Sequence, residues 1–587
     1  MHTIEILKFG SSVLRTPGEL HIAVDEIYRR WRANCRVLAV VSAFEGVTDQ
    51  LIKDASDLFG SARPEATSAY VATGEQRTAA LLTGLLGLSG ISARLVEPRE
   101  IGLTAQGDHL ESIPAGIDAA ALERLWQTYP VLVLPGFYGI NAQGHTVLFG
   151  RGGSDLSALF LAAELGGSCR LLKDVRGVFD ADPARRPTAR RFTGLSWTTA
   201  IEVAGPLIQS KALRFAQTRA LPFNVGRPNE GACTRIGQLR DAWAETTRPV
   251  RALRIVLLGC GVVGRGVYQM AKRYPERFDI GHVVVGDVAK YPDITECTAD
   301  RSVVSDNSID VVIECFGGVD EPYALISAAL AAGKFVISAN KAVVAARWAD
   351  LSIHARGAKR RLWYSAAVGG VLPALETLDS LASHSSPVRE IRGILNGTCG
   401  VVLDALAEGK TYDDAIALAK AAGFAEADPT RDLSGLDSAD KLALMVEASF
   451  GQWLAPKNIP TRGIDTIAAH PGGFKLIARA TRTRDRITAC VAPELLPADS
   501  FLGQATGPEN RIEIELMCGE VIKLRGQGAG RWPTAVSVLG DLHEVARLIL
   551  ESGTPSATQA PIHTSGRTSG IPSLLLDQAL GNAAGSC

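Results

Sequence analysis

Residues 253–268 read LRIVLLGCGVVGRGVY, and this stretch decides the fold of the second half of the chain. An apolar run over 253–258 ends in Gly259-Cys260-Gly261-Val262-Val263-Gly264 and passes into an amphipathic segment through Tyr268 and Met270. A lone G-x-G-x-x-G says little. Between a strand and a helix it is the dinucleotide fingerprint, because the glycines let the backbone approach a pyrophosphate at the helix N-terminus. A doubly wound Rossmann domain is therefore expected, with Gly259, Gly261, Val262, Val263 and Gly264 against a nicotinamide nucleotide.

Working outward, residues 282–285 form the next apolar strand and stop at Gly286-Asp287. An acid there suits the adenine ribose 2′-hydroxyl of NAD, whereas nearby Lys290 suits the 2′-phosphate of NADP, so both nucleotides stay open. Residues 309–315, IDVVIEC, run into Gly317-Gly318, and residues 335–338 run into Ala339-Asn340-Lys341-Ala342. Ligands of doubly wound folds bind beyond the carboxyl ends of such strands. Gly317, Gly318, Ser338 and Asn340 are accordingly expected at the cofactor, with Lys341 beside it. A second glycine loop, Gly526-Gln527-Gly528-Ala529-Gly530, brings Gly528 to the nicotinamide side.

Residues 426–441, EADPTRDLSGLDSADK, crowd acids and a terminal lysine around the turn signal Ser434-Gly435. Leu442, Met445 and Ala448 then recur at helical spacing, which sets Asp437 and Lys441 one turn apart on one face near a helix N-terminus. An N-cap at Asp437 or Ser438 and an exposed helix lysine would produce the same pattern more plainly. The order Glu426, Asp428-Pro429, Asp432, Gly435, Asp437, Lys441 decides otherwise, for it reproduces the signature of homoserine dehydrogenase, and this half of the chain resembles that family. The resemblance implies that hydride from NAD(P)H reaches an aldehyde carbon while Lys441, oriented by Asp437 and with Lys341 beside it, supplies the proton. It also implies that Glu426 and Asp432 hold the substrate ammonium. Two lysines placed so close are expected to lower each other's pKa. The segment from Gly393 through Asn396 to Thr398 resembles the entry to the family's substrate domain. Ser365 stands where the family has a glutamate that helps hold a monovalent cation, so no metal site is assigned.

The first half opens with a strand over 5–9 leading into Lys8-Phe9-Gly10-Ser11-Ser12-Val13, then a helix over 18–33 and a strand over 36–41. This alternation predicts a layered α/β fold. Later, Gly150-Arg151-Gly152-Gly153-Ser154-Asp155 lies between a strand and an apolar helix; its glycines allow close backbone approach, and Arg151 and Asp155 set opposite charges at the helix mouth. In order, Lys8-Phe9-Gly10, Val41-Ser42-Ala43, Gly46-Val47-Thr48, Gly74-Glu75, residues 150–155, Lys173-Asp174-Val175, Gly177-Val178 and Asp182-Pro183 resemble the aspartokinase branch of the amino-acid kinase family. That resemblance implies that Lys8 steadies a transferring phosphoryl group and that Glu75 and Arg151, with Asp155, hold the ammonium and carboxylate of aspartate. Lys8, Gly10, Ser11, Lys173, Asp174 and Asp182 would line the site of ATP with Mg2+. There are two departures. Pro206, in AGPLIQS over 204–210, replaces a lysine that contacts nucleotide in the family, with Lys211 nearby but out of register. After Val225 a polar linker leads directly to the next domain, without room for the family's paired ACT domains.

A chain of 587 residues is too long for one core. The expected division is an amino-acid-kinase α/β sandwich over 1–228, a linker over 229–251, the Rossmann domain over 252–390 completed by 521–551, and an α+β substrate and dimerisation domain over 391–520. The Ser-, Thr-, Pro- and Gly-rich tail over 552–587 is expected to be disordered apart from a short helix at 572–580. A net charge of −1 without a basic stripe argues against nucleic acid. No basic leader and no apolar span of roughly 18 residues argue against a signal peptide or membrane helix, which points to the cytoplasm. Ten scattered cysteines indicate neither a disulfide framework nor a zinc site. The expected partners are small-molecule substrates and, from the resemblance, further copies of the chain in a dimer or tetramer. The favoured reading is a fusion that phosphorylates L-aspartate and reduces L-aspartate 4-semialdehyde, two steps that are not consecutive. Two alternatives stand beside it. Pro206 motivates a dehydrogenase whose kinase-shaped domain is a degenerate scaffold or sensor, and Ser365 with Ala367 motivates reduction of a different β-amino aldehyde.

Overall fold

The computed structural model describes residues 3–551 apart from 61–62, 187, 206, 245–250, 385, 427, 468–471 and 485. Pro206 and the tail over 552–587 lie outside the described residues. The chain divides into two compact units, one built chiefly on Met1–Leu253 and the other chiefly on Phe278–Val538.

The first unit is a nine-stranded sheet whose middle is formed by Ser168–Leu172, Thr3–Phe9, Cys35–Val41 and Val131–Pro135, each parallel to its neighbour. These strands are buried almost end to end, as the near-continuous Ile, Leu and Val content of a sheet covered on both faces requires. Register sets Phe9 opposite Leu172, so Lys8 and Lys173 emerge side by side at the carboxyl edge. The helix Gly153–Leu165 is apolar on all sides and packs into the layer. Its start needs Gly152, whose φ of +74° is left-handed and whose Cβ position lies 2.5 Å from the Gln209 side chain. A four-stranded sheet of Ser112–Gly116, Thr104–Gly107, Tyr138–Ile140 and Thr146–Leu148 completes the unit. One expectation is corrected. Residues from 229 onward do not form a plain linker, because Cys233–Gly237 and Ala242–Trp243 are strands of the nine-stranded sheet. Their polar composition reads as loop, yet Thr234 and Ile236 point into the core and carry the pairing.

In the second unit, a six-stranded sheet runs in the order Cys297–Thr298, Phe278–Val284, Leu253–Leu258, Val311–Glu314, Phe335–Ser338, Leu362–Trp363. A five-stranded antiparallel sheet runs Arg486–Leu495, Phe474–Thr483, Val388–Ile394, Glu509–Leu516, Val521–Gln527. The expectation that 521–551 complete the Rossmann domain is corrected: Val521–Gln527 is an edge of the substrate sheet, where its alternating burial pairs it with Glu509–Leu516, and residues from Leu539 group with the first unit. Val256, Val336, Leu442, Met445 and Ile512 share one apolar core. The mixed α/β class expected from the sequence is the class observed. No helix among the described residues is long and apolar enough to cross a membrane.

Candidate active sites

In the first unit a cavity of about 520 Å³ opens at the carboxyl edge of the sheet, lined by Lys8, Glu75, Arg151, Asp155 and Lys173 among others. Asp155, in the first turn of its helix, is buried between two lysines: Lys8 Nζ lies 2.8 Å from Oδ1 and Lys173 Nζ 3.0 Å from Oδ2. It therefore does not pair with Arg151 at the helix mouth; Arg151 is exposed at the cavity rim. Burial alone would raise the Asp155 carboxyl, but Lys8 and Lys173 hold it down at about 2. Burial lowers the Lys8 ammonium, and Asp155 opposes that. Glu75 is 2 % exposed, and burial pushes its carboxyl up to about 7 although the Ala43 N–H donates to Oε1 at 3.2 Å. Its Oε2 is buried and accepts no hydrogen bond among the described residues, which leaves one acceptor for a substrate ammonium.

Gly10 keeps the path of Lys8 clear, since a Cβ there would stand 2.8 Å from Nζ. Ser11 is exposed at the rim. Asp174 is exposed, with its carbonyl accepting from Arg227, and Asp182 is exposed and folds back on the Ala184 N–H. Lys211, out of register in the sequence, reaches the glycine loop from the side: its Nζ donates to Phe149 O at 2.6 Å and to Glu111 Oε1 at 2.5 Å.

In the second unit the glycine loop has the geometry of a nucleotide cradle. Gly261 is the N-cap of Val262–Ala271 and brings no side-chain cap, so the first-turn N–H groups stay available to an anion. Gly259 has φ +91°, and a Cβ at Gly264 would fall 2.1 Å from Gly259 O. Nothing stands within 4 Å of the Cβ positions of Gly261, Gly286, Gly317 and Gly318, which is the open space a pyrophosphate and ribose require. Val262 is exposed over this space and Val263 is half-buried. Asp287 is exposed at the strand end, its Oδ1 accepting from the Ala289 N–H at 3.1 Å. Gly528 is buried against Asn510, and Gly370 meets it so closely that a Cβ there would stand 2.7 Å from Gly528 C. The residues present fit a dinucleotide.

Beside the cradle stands a three-membered cluster. Lys341 is the first residue of Lys341–Gly357, capped by Asn340, whose side chain accepts from the Ala342 and Val343 N–H groups. Asp437 lies in the first turn of Leu436–Phe450, which starts after Gly435 at φ +81°. Asp437 is therefore not the cap; its carboxylate receives Lys341 Nζ at 2.5 Å on Oδ1 and Lys441 Nζ at 2.9 Å on Oδ2. Lys441 also donates to Leu395 O at 2.6 Å, and Asn396 Nδ2 donates to both Asp437 and Asp432, at 2.9 and 2.7 Å. Asn396, quoted in the sequence but given no role there, is the link between the two acids. Thr398 Oγ1 approaches Asp432 Oδ2 at 3.4 Å. Glu426 is exposed and joins none of these groups among the described residues.

The expectation that the two lysines lower each other's pKa is corrected. Burial does press Lys341 down, but Asp437 outweighs it and the ammonium ends raised. Asp437 itself is held well below the ordinary carboxylate range by Lys441 and Lys341, against the opposing effect of its burial. A carboxylate set between the lysines replaces their repulsion with attraction to a common partner.

Residues 259–365 match the family model of the homoserine dehydrogenase NAD binding domain, residues 373–543 that of homoserine dehydrogenase, and residues 3–219 that of the amino acid kinase family. The homoserine dehydrogenase of Corynebacterium glutamicum is 34% identical over 334 residues, covering 52% of this chain and 74% of that protein. That of Bacillus subtilis is 32% identical over 323 residues, covering 51% and 74%. Among solved structures, a homoserine dehydrogenase from Thiobacillus denitrificans aligns with a TM-score of 0.50 at 28% identity, covering 52% of this chain and 76% of that one.

Proposed function

The chain belongs to the homoserine dehydrogenase family, and from that membership and the kinase-family match at its N-terminus we propose a bifunctional enzyme of amino-acid biosynthesis. One unit reduces L-aspartate 4-semialdehyde to L-homoserine with NAD(P)H; the other phosphorylates L-aspartate to 4-phospho-L-aspartate with magnesium ATP. The observation that carries the first activity is the pair of lysines on one buried carboxylate beside an open dinucleotide cradle.

When bound along Gly259–Gly264, Gly317, Gly318, Ser338 and Asn340, the nicotinamide nucleotide supplies hydride to the aldehyde carbon. The developing alkoxide then needs a proton and a cation at one point. Lys441 spends two of its three N–H bonds on Asp437 and Leu395 O, which fixes the direction of the third. That third proton passes to the substrate oxygen. Asp437 stays ionised throughout, because the two ammonium groups beside it hold its carboxyl well below the ordinary carboxylate range, so it orients both without competing for the proton. Lys341, about two-fifths exposed, faces the side from which solvent restores the proton. Asp432, steadied by Asn396, binds the substrate ammonium, with Glu426 as the more distant second acid.

In the kinase unit Lys8 neutralises charge on the transferring phosphoryl group, and phosphoryl transfer asks for little more than position and charge. Asp155 holds Lys8 and Lys173 parallel at the sheet edge; Glu75 takes the ammonium of aspartate and Arg151 its α-carboxylate. The family reading carries a homo-oligomer, dimer or tetramer, joined through the substrate domain.

The deciding experiment measures two rates on the full chain: aspartate-dependent ADP release with Mg-ATP, and oxidation of NADH and of NADPH by a panel of β-amino aldehydes led by aspartate semialdehyde. Both rates, with Lys8→Ala abolishing only the first, are expected. Aldehyde reduction without ADP release would reduce the first unit to a scaffold or sensor, and preference for another aldehyde would overturn the substrate assignment.

A further inference from the structure

The strand Val311–Glu314 is apolar until its last residue, where a carboxylate ends an otherwise aliphatic run in the middle of the Rossmann sheet. Glu314 is 0 % exposed and makes no ion pair among the described residues. A carboxyl buried without a cation is unfavourable unless hydrogen bonds compensate, so its partners indicate what it is kept for. Ser338 lies opposite it in register on the next strand and donates through Oγ to Oε2 at 2.5 Å. The Phe316 N–H donates to Oε1 at 2.8 Å, and Asn340 Nδ2 approaches the same oxygen at 3.4 Å. Asn340 in turn donates to Gly318 O at 2.9 Å, sends its own N–H to Ser338 Oγ at 3.2 Å, and caps the helix that begins with Lys341. One side chain thus bonds the loop carrying Gly317 and Gly318 and the loop carrying Ser338 to Lys341.

We propose that Glu314 is a positioning residue for the dehydrogenase, tying together the two strand-end loops on which the nicotinamide half of the nucleotide rests and from which Lys341 starts. The inference rests on the dinucleotide reading of that cradle. Neither oxygen of Glu314 reaches the open space, so it acts through Ser338 and Asn340 and not by touching the cofactor. Ionised, it accepts from all three donors; protonated, it carries a proton of its own, which reverses the bond to Ser338 or displaces one of the other two. Burial pushes this carboxyl up to about 7, against the opposing pull of Ser338, Phe316 and Asn340, and the Cys315 thiol, itself raised by burial, is the titratable neighbour. Loop order should therefore depend on pH across the neutral range.

The test uses the full chain with Glu314→Gln, which keeps shape and removes charge, and Ser338→Ala, which keeps the carboxyl and removes one donor. Binding of NADH and NADPH is read by nucleotide fluorescence without turnover, alongside KM, kcat and melting temperature from pH 6 to 8.5. For Glu314→Gln the expected result is nucleotide binding weakened by about tenfold, kcat changed by less than about threefold, and loss of the pH dependence of binding seen in the parent. Ser338→Ala should shift binding in the same direction by a smaller factor, and it decides the matter if Glu314→Gln does not fold. Parent-like binding and pH profile in either folded variant overturns the proposal, as does a loss of kcat with binding intact. A parent chain that binds nucleotide but reduces no aldehyde would instead refute the assigned reaction and leave Glu314 decided by the binding arm.

Discussion

Lys341 donates to Asp437 at 2.5 Å from the first position of one helix to the first turn of another. Both helix starts carry partial positive charge, which favours the carboxylate at the junction and disfavours the ammonium. The pair holds because Lys341 enters from the exposed side while Asp437 is 2 % exposed. That asymmetry predicts which substitution does more harm.

Asp437→Asn should lower kcat/KM for the aldehyde by about 10²–10⁴-fold, since both lysines lose their orienting partner. It should also destabilise the second unit by about 3–5 kcal/mol, because buried Lys441 is left without its counterion. Lys341→Met should impair turnover with a smaller loss of melting temperature. Steady-state kinetics and thermal melts of the two variants check the order.

Gly264→Ala should abolish nucleotide binding by the dehydrogenase, since the added Cβ would sit 2.1 Å from Gly259 O inside the cradle. Aspartate-dependent ADP release should persist in the same preparation. Loss of both would mean that the substitution unfolds more than its own loop.

In the role proposed for it, Glu75 would tie kinase turnover to pH. With its carboxyl at about 7, it is neutral in mild acid and cannot attract an ammonium; KM for aspartate should fall as pH rises through 7. Glu75→Gln should have a high and pH-independent KM. A parent KM that is flat from pH 6 to 8.5 would contradict the assigned role.

Stability should respond to pH in opposite senses at two acids of that cavity. Glu75 is raised from 4.5, so its contribution is complete below 4.5 and is lost as pH climbs to about 7. Asp155 is lowered from 3.8 to about 2, so its contribution is present above 3.8 and is lost as pH falls toward 2. Thermal melts of Glu75→Gln should lose the neutral-side decline of the parent, and those of Asp155→Asn the acid-side one.

Much of this was legible in the sequence because the informative residues sit at strand and helix ends, where local pattern and chemistry coincide. The glycines of 259–264 and the lysines at 8, 173 and 341 all mark the carboxyl edge of a strand. What the sequence hid depends on contacts across long separations. Asp437 reads as a helix-start acid until Lys341 arrives from the start of another helix, and two lysines read as mutually repulsive until the carboxylate between them is seen. Glu314 reads as the tail of an apolar strand; only the register with Ser338 shows what it holds. Cys233–Gly237 reads as linker because a strand with alternate polar residues resembles loop until its partner, Phe223–Gly226, is known.

The order in which the chain is made separates the two halves of the dehydrogenase site in time. The six-stranded sheet that carries the glycine loop is complete with Leu362–Trp363, whereas Lys441, the proposed proton donor, rests on a sheet that closes only with Val521–Gln527. In a growing chain all six strands under the glycine loops are therefore made before the sheet against which Lys441 packs can close.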